Sequence, residues 1–405
     1  MAIEELGDEG TYWRRRAEQV QWQLRRGYLF RRQMLQLMGA GTVVAGLGHA
    51  VPPAWADHVA VVKPTTAEFF VHHGTNREMR WEVMAGQGYH TPNHLFYVRN
   101  HTATPHIEPK GWKLRIEGSG VRHPIELTYD DLVAMPSVAV TRFLECAGNG
   151  RSQFAEAQGQ PAAGTPWHFG AIGVAEWEGV ALWRVLERAG VKPTAVDVMA
   201  EGLDSRRVRR PLPLAKAVAD DTLLVYGMNG RALPQDHGFP LRLLVPGWVG
   251  VASIKWVGRI EVSETALFSP WNTETYVMIG DAYPERPVLT TQEIKSAFEL
   301  PWAGDVPAGK QLLTGRSWSA HGRISQVEIS TDQGMSWRPA TLGRRNVSQA
   351  WVQWQIPWDP TAGNHQLRAR ATDSRGNTQP DTVLYNEQGY LYGAVTDHPV
   401  TVIQA

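Results

Sequence analysis

The sequence holds one cysteine, Cys146, in 405 residues. A single thiol excludes an intrachain disulfide, a CxxC redox pair and a four-thiolate zinc or iron–sulfur centre. It also excludes the two-thiol attachment of a c-type haem. Charge of either sign is not in excess, 40 basic residues standing against 40 acidic ones. That argues against nucleic acid as a partner, since phosphate binding draws on a surplus of Lys and Arg. It also means that any docking patch must be local, because no overall field steers a partner. Long hydrophobic runs are missing too. The most apolar stretch, Leu35 to Ala50, is shorter than the roughly 20 residues of a bilayer-spanning helix. No internal repeat, GxGxxG or HExxH-like spacing occurs, so neither a dinucleotide site nor a helical zinc site is expected.

What remains is the composition of a folded protein, 43% hydrophobic and 20% charged, long enough for two domains. Tryptophan is abundant at 17 residues, which fits either β-rich cores or the wall of a large flat cofactor.

The first 56 residues read as an address. Arg31-Arg32 stands directly before a Gly/Ala-rich apolar stretch, and Ala54-Trp55-Ala56 has the small-x-small form of a signal-peptidase site. Arg25-Arg26 is a second pair, and an uncleaved anchor or amphipathic helix is the alternative. The expectation is a twin-arginine export signal over 1–56 and a periplasmic or other extracytoplasmic location. That route carries folded proteins, which points to a cofactor inserted before export.

After an extension over 57–87, residues 88–284 are mixed in pattern. Lys113 to Gly118 alternates like a half-buried strand, and Thr128 to Met135 starts as a capped short helix. Val180 to Ala189 has helical spacing with Gly190 at its end, and Phe239 to Val251 reads as buried strand and turn. The irregular order indicates an α+β domain. Over 285–405 the texture changes to short alternating strands divided by turns, as in Trp351–Ile356 and His365–Thr372, the pattern of an immunoglobulin-like β-sandwich. Prolines 284, 287, 301 and 307 cluster at the boundary. Ser205–Arg210 reads as a solvated basic loop, and His72-His73 as loop histidines.

Cys146 lies in Glu145-Cys146-Ala147-Gly148-Asn149-Gly150-Arg151-Ser152, with Arg142 on its other side. Lone cysteines are mostly buried hydrophobes. An apolar run delivering a thiol to a glycine-rich, cationic loop is instead where a thiolate is stabilised and a ligand can approach backbone. One thiolate cannot hold a transition metal alone, so a cofactor bringing its own sulfurs fits best.

Four segments in register, Phe96–His101, Glu145–Ser152, Asp236–Arg242 and Ser253–Trp256, resemble the hallmark segments of the sulfite oxidase family of molybdenum enzymes. The resemblance implies a molybdopterin-binding domain followed by an immunoglobulin-like dimerisation domain, hence a homodimer. It implies a pterin cofactor chelating molybdenum, with Cys146 as the protein's ligand to the metal. Asn100, His101 and Asp204 match pterin-holding positions, and His237, Arg242, Ser253, Ile254 and Lys255 match the part that grips its phosphate end. Arg99 and Arg151 match the anion-site arginines, Trp167 a pocket tryptophan and Tyr276 the active-site tyrosine. The activity implied is oxidation of sulfite to sulfate without haem, electrons passing to a c-type cytochrome or to dioxygen.

Two departures bear on substrate. Animal sulfite oxidases carry two consecutive arginines where this chain has Gly150-Arg151, and another arginine where it reads Asn386-Glu387-Gln388-Gly389. Losing that cation admits a bulkier sulfur substrate, such as the carrier-bound sulfane of sulfane dehydrogenases. A non-redox exported binding protein is the reading of a different kind, and metal analysis separates it from the others.

Overall fold

The computed structural model describes residues 60–404; the export signal expected over 1–56 lies outside them. Residues 60–63 run along the first domain as a short strap, followed by a hairpin of Phe70–His73 and Asn76–Met79. His72 and His73 therefore sit in a strand and not in a loop. Two pleated faces are available there, and His73 turns inward to Glu78.

The first domain is built on two five-stranded sheets. One runs Arg231–Ala232, Leu223–Met228, Ile172–Ala181, Val138–Glu145, with Arg242–Leu244 also paired to Leu223–Met228. The other runs Ile125–Thr128, Lys113–Glu117, Val257–Ser263, Asp197–Gly202, Arg209–Pro213. Leu223–Met228 is apolar throughout because both its faces are covered. The short helix Tyr129–Val133 has the expected cap: Thr128 and Asp131 form a reciprocal capping box. The helix over 182–188 begins later than its spacing indicated, since Val180 and Ala181 finish the strand before it. Gly190 follows at φ +67°, the left-handed exit a helix end favours.

The second domain is a sandwich of a four-stranded sheet (Lys295–Phe298, Gln311–Trp318, Trp351–Trp358, Thr341–Asn346) and a five-stranded one (Gly304–Pro307, His398–Ile403, Gly363–Asp373, Ile324–Ser330, Arg338–Pro339). Trp354, Ile356 and Trp358 alternate with more exposed Gln355 and Pro357, and pack with Leu313, Val327 and Leu367 as the inter-sheet core.

Between Gly363–Asp373 and His398–Ile403 the chain leaves the sandwich and lies on the first domain. Glu387 N donates to Ile279 O at 2.9 Å, Ala163 N to Glu387 O at 2.9 Å, and Leu391 N to Ala147 O at 2.8 Å. A segment late in the sequence is thereby laid beside the only cysteine. The basic run is not uniformly solvated either. Arg207 and Arg209 pair with Glu201, while Arg210 is buried, with Nη1 donating to Trp271 O at 2.6 Å.

Candidate active site

Cys146 follows the last residue of the strand Val138–Glu145. Asn149 N returns to Cys146 O at 3.0 Å, Gly150 takes φ +90°, and the helix Ser152–Glu156 begins. This tight reversal brings Cys146 and Arg151 to one end of the sheet, with no side chain at 150 to obstruct it. Two clefts meet there. The inner one, about 710 Å³ and open to solvent, is lined by His101, Asp204, His237, Arg242, Ser253, Ile254 and Lys255 among others. The outer one, about 560 Å³, is lined by Arg151, Thr165, Gln388 and Tyr390 among others. Arg99, Cys146 and Tyr276 belong to both.

The inner cleft is a concentration of unneutralised cations. Its two carboxylates are consumed by backbone and hydroxyl donors: Asp236 accepts from Val62 N, Lys63 N and Thr104 Oγ1 at 2.6–2.9 Å, and Asp204 from Arg206 N and Val208 N at 3.0 and 3.2 Å. Lys255 is forced well below the usual lysine range by burial and then by Arg242, Asp236 opposing. Burial brings Arg242 down to about 10. Burial, then Lys63, Lys255 and Arg242, keep His237 neutral. Among the described residues, His237 Nε2 and Arg242 Nε are buried with no hydrogen-bond partner. Buried polar atoms are rarely left so, and a wall that gathers like charges and spare nitrogens is built for an anionic ligand. A phosphate-ended group fits that donor set. At the other end, no three His, Cys, Asp or Glu among the described residues could hold a metal together. Cys146 can only complete the coordination of a metal that arrives with other ligands, and this too fits the pterin–molybdenum cofactor.

Lys63 gives this field a pH signature. Its ammonium is buried against Asn93 O and the Phe70 ring, and desolvation, opposed by Asp236, takes its pKa from 10.5 down to about 7. Between those two values the unfolded chain binds one proton that the folded chain does not, so stability rises with pH across the window. Below pH 7 the cost of burying the charge is fully present. We expect the denaturation midpoint of cofactor-free protein to climb from pH 7 to 10, and Lys63→Met to flatten that climb. An unaltered slope in the variant would assign it to another group.

Arg99, His101 and Tyr276 form a chain whose proton positions are fixed by elimination. Arg99 Nη2 contacts His101 Nδ1 at 3.1 Å, and Tyr276 Oη lies 3.1 Å from His101 Nε2. Burial, then Arg99, Arg206 and Lys255, drive His101 down to about 2, so the ring is neutral. A guanidinium only donates, so Nδ1 accepts and the ring proton sits on Nε2. Nε2–H then donates to Tyr276 Oη, and the Tyr276 hydroxyl proton is free to point into the site. Burial, partly offset by Arg99, raises the pKa of Tyr276, so it keeps that proton. Tyr276 is also a non-glycine residue at φ +55°, strain of the kind that accumulates where a side chain must be aimed. The Arg99 guanidinium lines both clefts together with Cys146. Burial opposes its charge, but the acidic groups beside it, Tyr276 and then Cys146, outweigh that and hold it above the usual range.

Arg151 reaches the outer cleft through a passage of glycines. Nε donates to Gln388 O at 2.8 Å and Nη1 to Thr165 O at 2.6 Å, while the guanidinium lies 5.4 Å from the Tyr390 ring centroid. A Cβ on Gly148 would stand 2.4 Å from Nη2, and one on Gly389 2.6 Å from Cγ. The passage therefore exists only because those side chains are absent.

Two expected residues are not in the walls. Asn100 is buried; its Oδ1 takes the Lys255 ammonium and its Nδ2 donates to Thr104 Oγ1 at 2.9 Å, so it orients Lys255 from behind. Trp167 is fully buried, edge-on to Tyr97 at 6.4 Å and His73 at 5.5 Å, and lines neither cleft. The other eleven named residues meet in one or both clefts. Gln388 and Tyr390, which line the outer cleft, were missed as site residues. For Tyr390 the available signal was the aromatic pair in Gly389-Tyr390-Leu391-Tyr392.

Comparison with known proteins agrees with this geometry. Residues 101–271 match the oxidoreductase molybdopterin binding domain and residues 292–400 the Mo-co oxidoreductase dimerisation domain. The chain is 36% identical to sulfite oxidase of Gallus gallus over 345 residues, covering 78% of this chain and 74% of that protein. It is 34% identical to the mitochondrial sulfite oxidase of Homo sapiens, covering 76% of this chain and 61% of that protein. Against the mammalian enzymes it thus spans about three fifths of their length. Among solved structures, the sulfane dehydrogenase SoxCD from Paracoccus pantotrophus superposes with a TM-score of 0.72 at 26% identity, covering 90% of this chain and 96% of that one. An α+β molybdopterin domain joined to a β-sandwich dimerisation domain, with a thiol between two cationic clefts, defines a molybdopterin oxidoreductase. Within that class the chain belongs to the sulfite oxidase family.

Proposed function

We propose that this protein oxidises sulfite to sulfate, with water as the net oxygen source, releasing two protons and two electrons that leave one at a time to an external c-type cytochrome. The observation that carries this reading is the position of Cys146 as the shared wall of a cofactor-sized cationic cleft and a smaller pocket, with Arg99 also in both walls. When bound, the molybdenum cofactor supplies the two-electron oxidant for oxygen transfer to sulfur. Arg242, Lys255 and His237 would hold its phosphate end, and Cys146 its metal. Arg99 and Arg151 bind the oxyanion from two sides and orient its sulfur. The free Tyr276 hydroxyl donates to an oxyanion oxygen, while the His101 proton stays on Nε2. These donors are fixed before the substrate enters, so they stabilise charge without reorganising.

Arg99→Gln tests the reading. The expected result is a sulfite KM raised by about ten- to a hundredfold, the scale of one charge-assisted hydrogen bond, with molybdenum content retained. An unchanged KM removes Arg99 from the anion site. Dioxygen is the alternative acceptor; export by the twin-arginine route and a homodimer joined through the second domain complete the proposal.

One observation favours a second reading. The outer wall is neutral at Gln388 and Tyr390, where a third cation would suit a small dianion. This supports carrier-bound sulfur as substrate, as in a sulfane dehydrogenase. Steady-state turnover decides: an enzyme specific for a carrier is slow on free sulfite.

A further inference from the structure

Glu145, the residue before Cys146, is fully buried, and its carboxylate is held from the second domain. Oε1 accepts from Lys295 Nζ at 2.7 Å, itself fully buried, and Oε2 from Trp318 Nε1 at 3.1 Å. Lys295 and Trp318 are register partners on neighbouring strands, so one cross-strand pair presents an ammonium and an indole N–H to a single carboxylate. The same Oε1 accepts from Asn149 Nδ2 at 2.9 Å. Asn149 Oδ1 in turn accepts from Ala171 N at 2.9 Å, and Ala171 O accepts from Cys146 N at 2.9 Å. Gln292 Nε2 adds a bond to Glu145 O at 2.8 Å. A continuous chain of hydrogen bonds thus runs from the second domain through Glu145, Asn149 and Ala171 to the backbone of Cys146.

Burying an ion pair is a poor route to stability, because desolvation offsets the attraction. An apolar contact would join the domains as well. What the pair adds is direction: an ammonium and an indole on a rigid sheet fix the carboxylate, and the carboxylate fixes Asn149 and the turn that carries the thiol. We infer that Lys295 is a positioning residue, by which the second domain sets the place of the Cys146 sulfur between the two clefts. The inference concerns the geometry of the thiol and holds whichever sulfur substrate the enzyme oxidises.

The test uses the full-length protein. Lys295→Met leaves Glu145 buried and unpaired, so its effects mix folding with position. The double variant Glu145→Gln/Lys295→Met removes both charges and separates the two. Cys146 is the only thiol, so alkylation of cofactor-free protein by iodoacetamide reports on it alone. Lys192→Met, which breaks the exposed pair with Glu264, sets the baseline. The double variant is expected to melt near the parent temperature, yet to alkylate about tenfold faster, the equilibrium worth of one charge-assisted hydrogen bond. In the loaded enzyme the thiolate-to-metal charge-transfer absorption should shift, and kcat should fall with KM held. Parental alkylation rate and absorption in a folded double variant would overturn the inference and leave Lys295 as a structural contact.

Discussion

Arg242→Met is expected to move cofactor retention and protein stability in opposite directions. The guanidinium lines the inner cleft; among the described residues its Nε has no partner and its Nη1 donates to His237 O at 3.0 Å. Its loss should weaken binding of the phosphate-ended cofactor by about a hundredfold, as when a charged donor is removed from a phosphate. Cofactor-free protein should nonetheless gain about 1–2 kcal/mol, because a desolvated cation beside Lys255 is replaced by an apolar side chain of similar length. Metal analysis after gel filtration reads the first effect and calorimetry of metal-free protein the second. A variant that loses molybdenum and also melts lower would show Arg242 to be part of the scaffold.

Arg316→Met should be the most destabilising single change outside the site. Arg316 is completely buried in the second domain. Its Nε donates to Glu299 Oε1 at 2.6 Å, Nη1 to the carbonyls of Gly88 and Tyr89 at 3.1 and 3.3 Å, and Nη2 to those of Met84 and Gln87 at 3.3 and 3.2 Å. The ring of Trp351 lies 4.6 Å from the guanidinium carbon. One side chain thereby ties the segment ahead of the first domain to the sandwich. Methionine would take one donor from each of four carbonyls, of which Met84, Gln87 and Tyr89 keep another, and would strand Glu299 in the interior, a loss of about 3–5 kcal/mol and roughly 5–10 °C in melting temperature. Adding Glu299→Leu should recover part of that loss, since no charge is then left buried alone. If the single variant melts within about 2 °C of the parent, the carbonyls have found water and the clamp is not the joint it looks to be.

Those residues also mark where reading the sequence stops. The motif segments were legible because their chemistry is local: Cys146 and Arg151 sit on one short turn, Asp236 to Arg242 on another. Fold class was legible because alternation in Trp351–Trp358 follows from a half-buried face. The contacts that join these pieces were not. Gln388 meets Arg151 across 237 positions and Lys295 meets Glu145 across 150. A buried lysine has the same letter as a surface one, and the basic run 205–210 shows the error this invites. Arg207 is exposed and paired, whereas Arg210, three residues on, is interior, because Arg209–Pro213 is a strand at the edge of a sheet and not a loop. Trp167 was misplaced for a related reason. Position in a motif fixes neighbours along the chain, but the fold buries its indole completely, edge-on to Tyr97 and His73.

The glycine passage around Arg151 has one more implication. Gly148 belongs to the cysteine turn and Gly389 to the stretch that crosses from the sandwich, and the arginine threads between them. The placement of the Arg151 guanidinium is thus a property of the assembled pair of domains. A first domain transplanted alone into another protein would keep the thiol turn and the Arg151 bond to Thr165 O, but would lose the Gln388 carbonyl that fixes the other edge of the guanidinium.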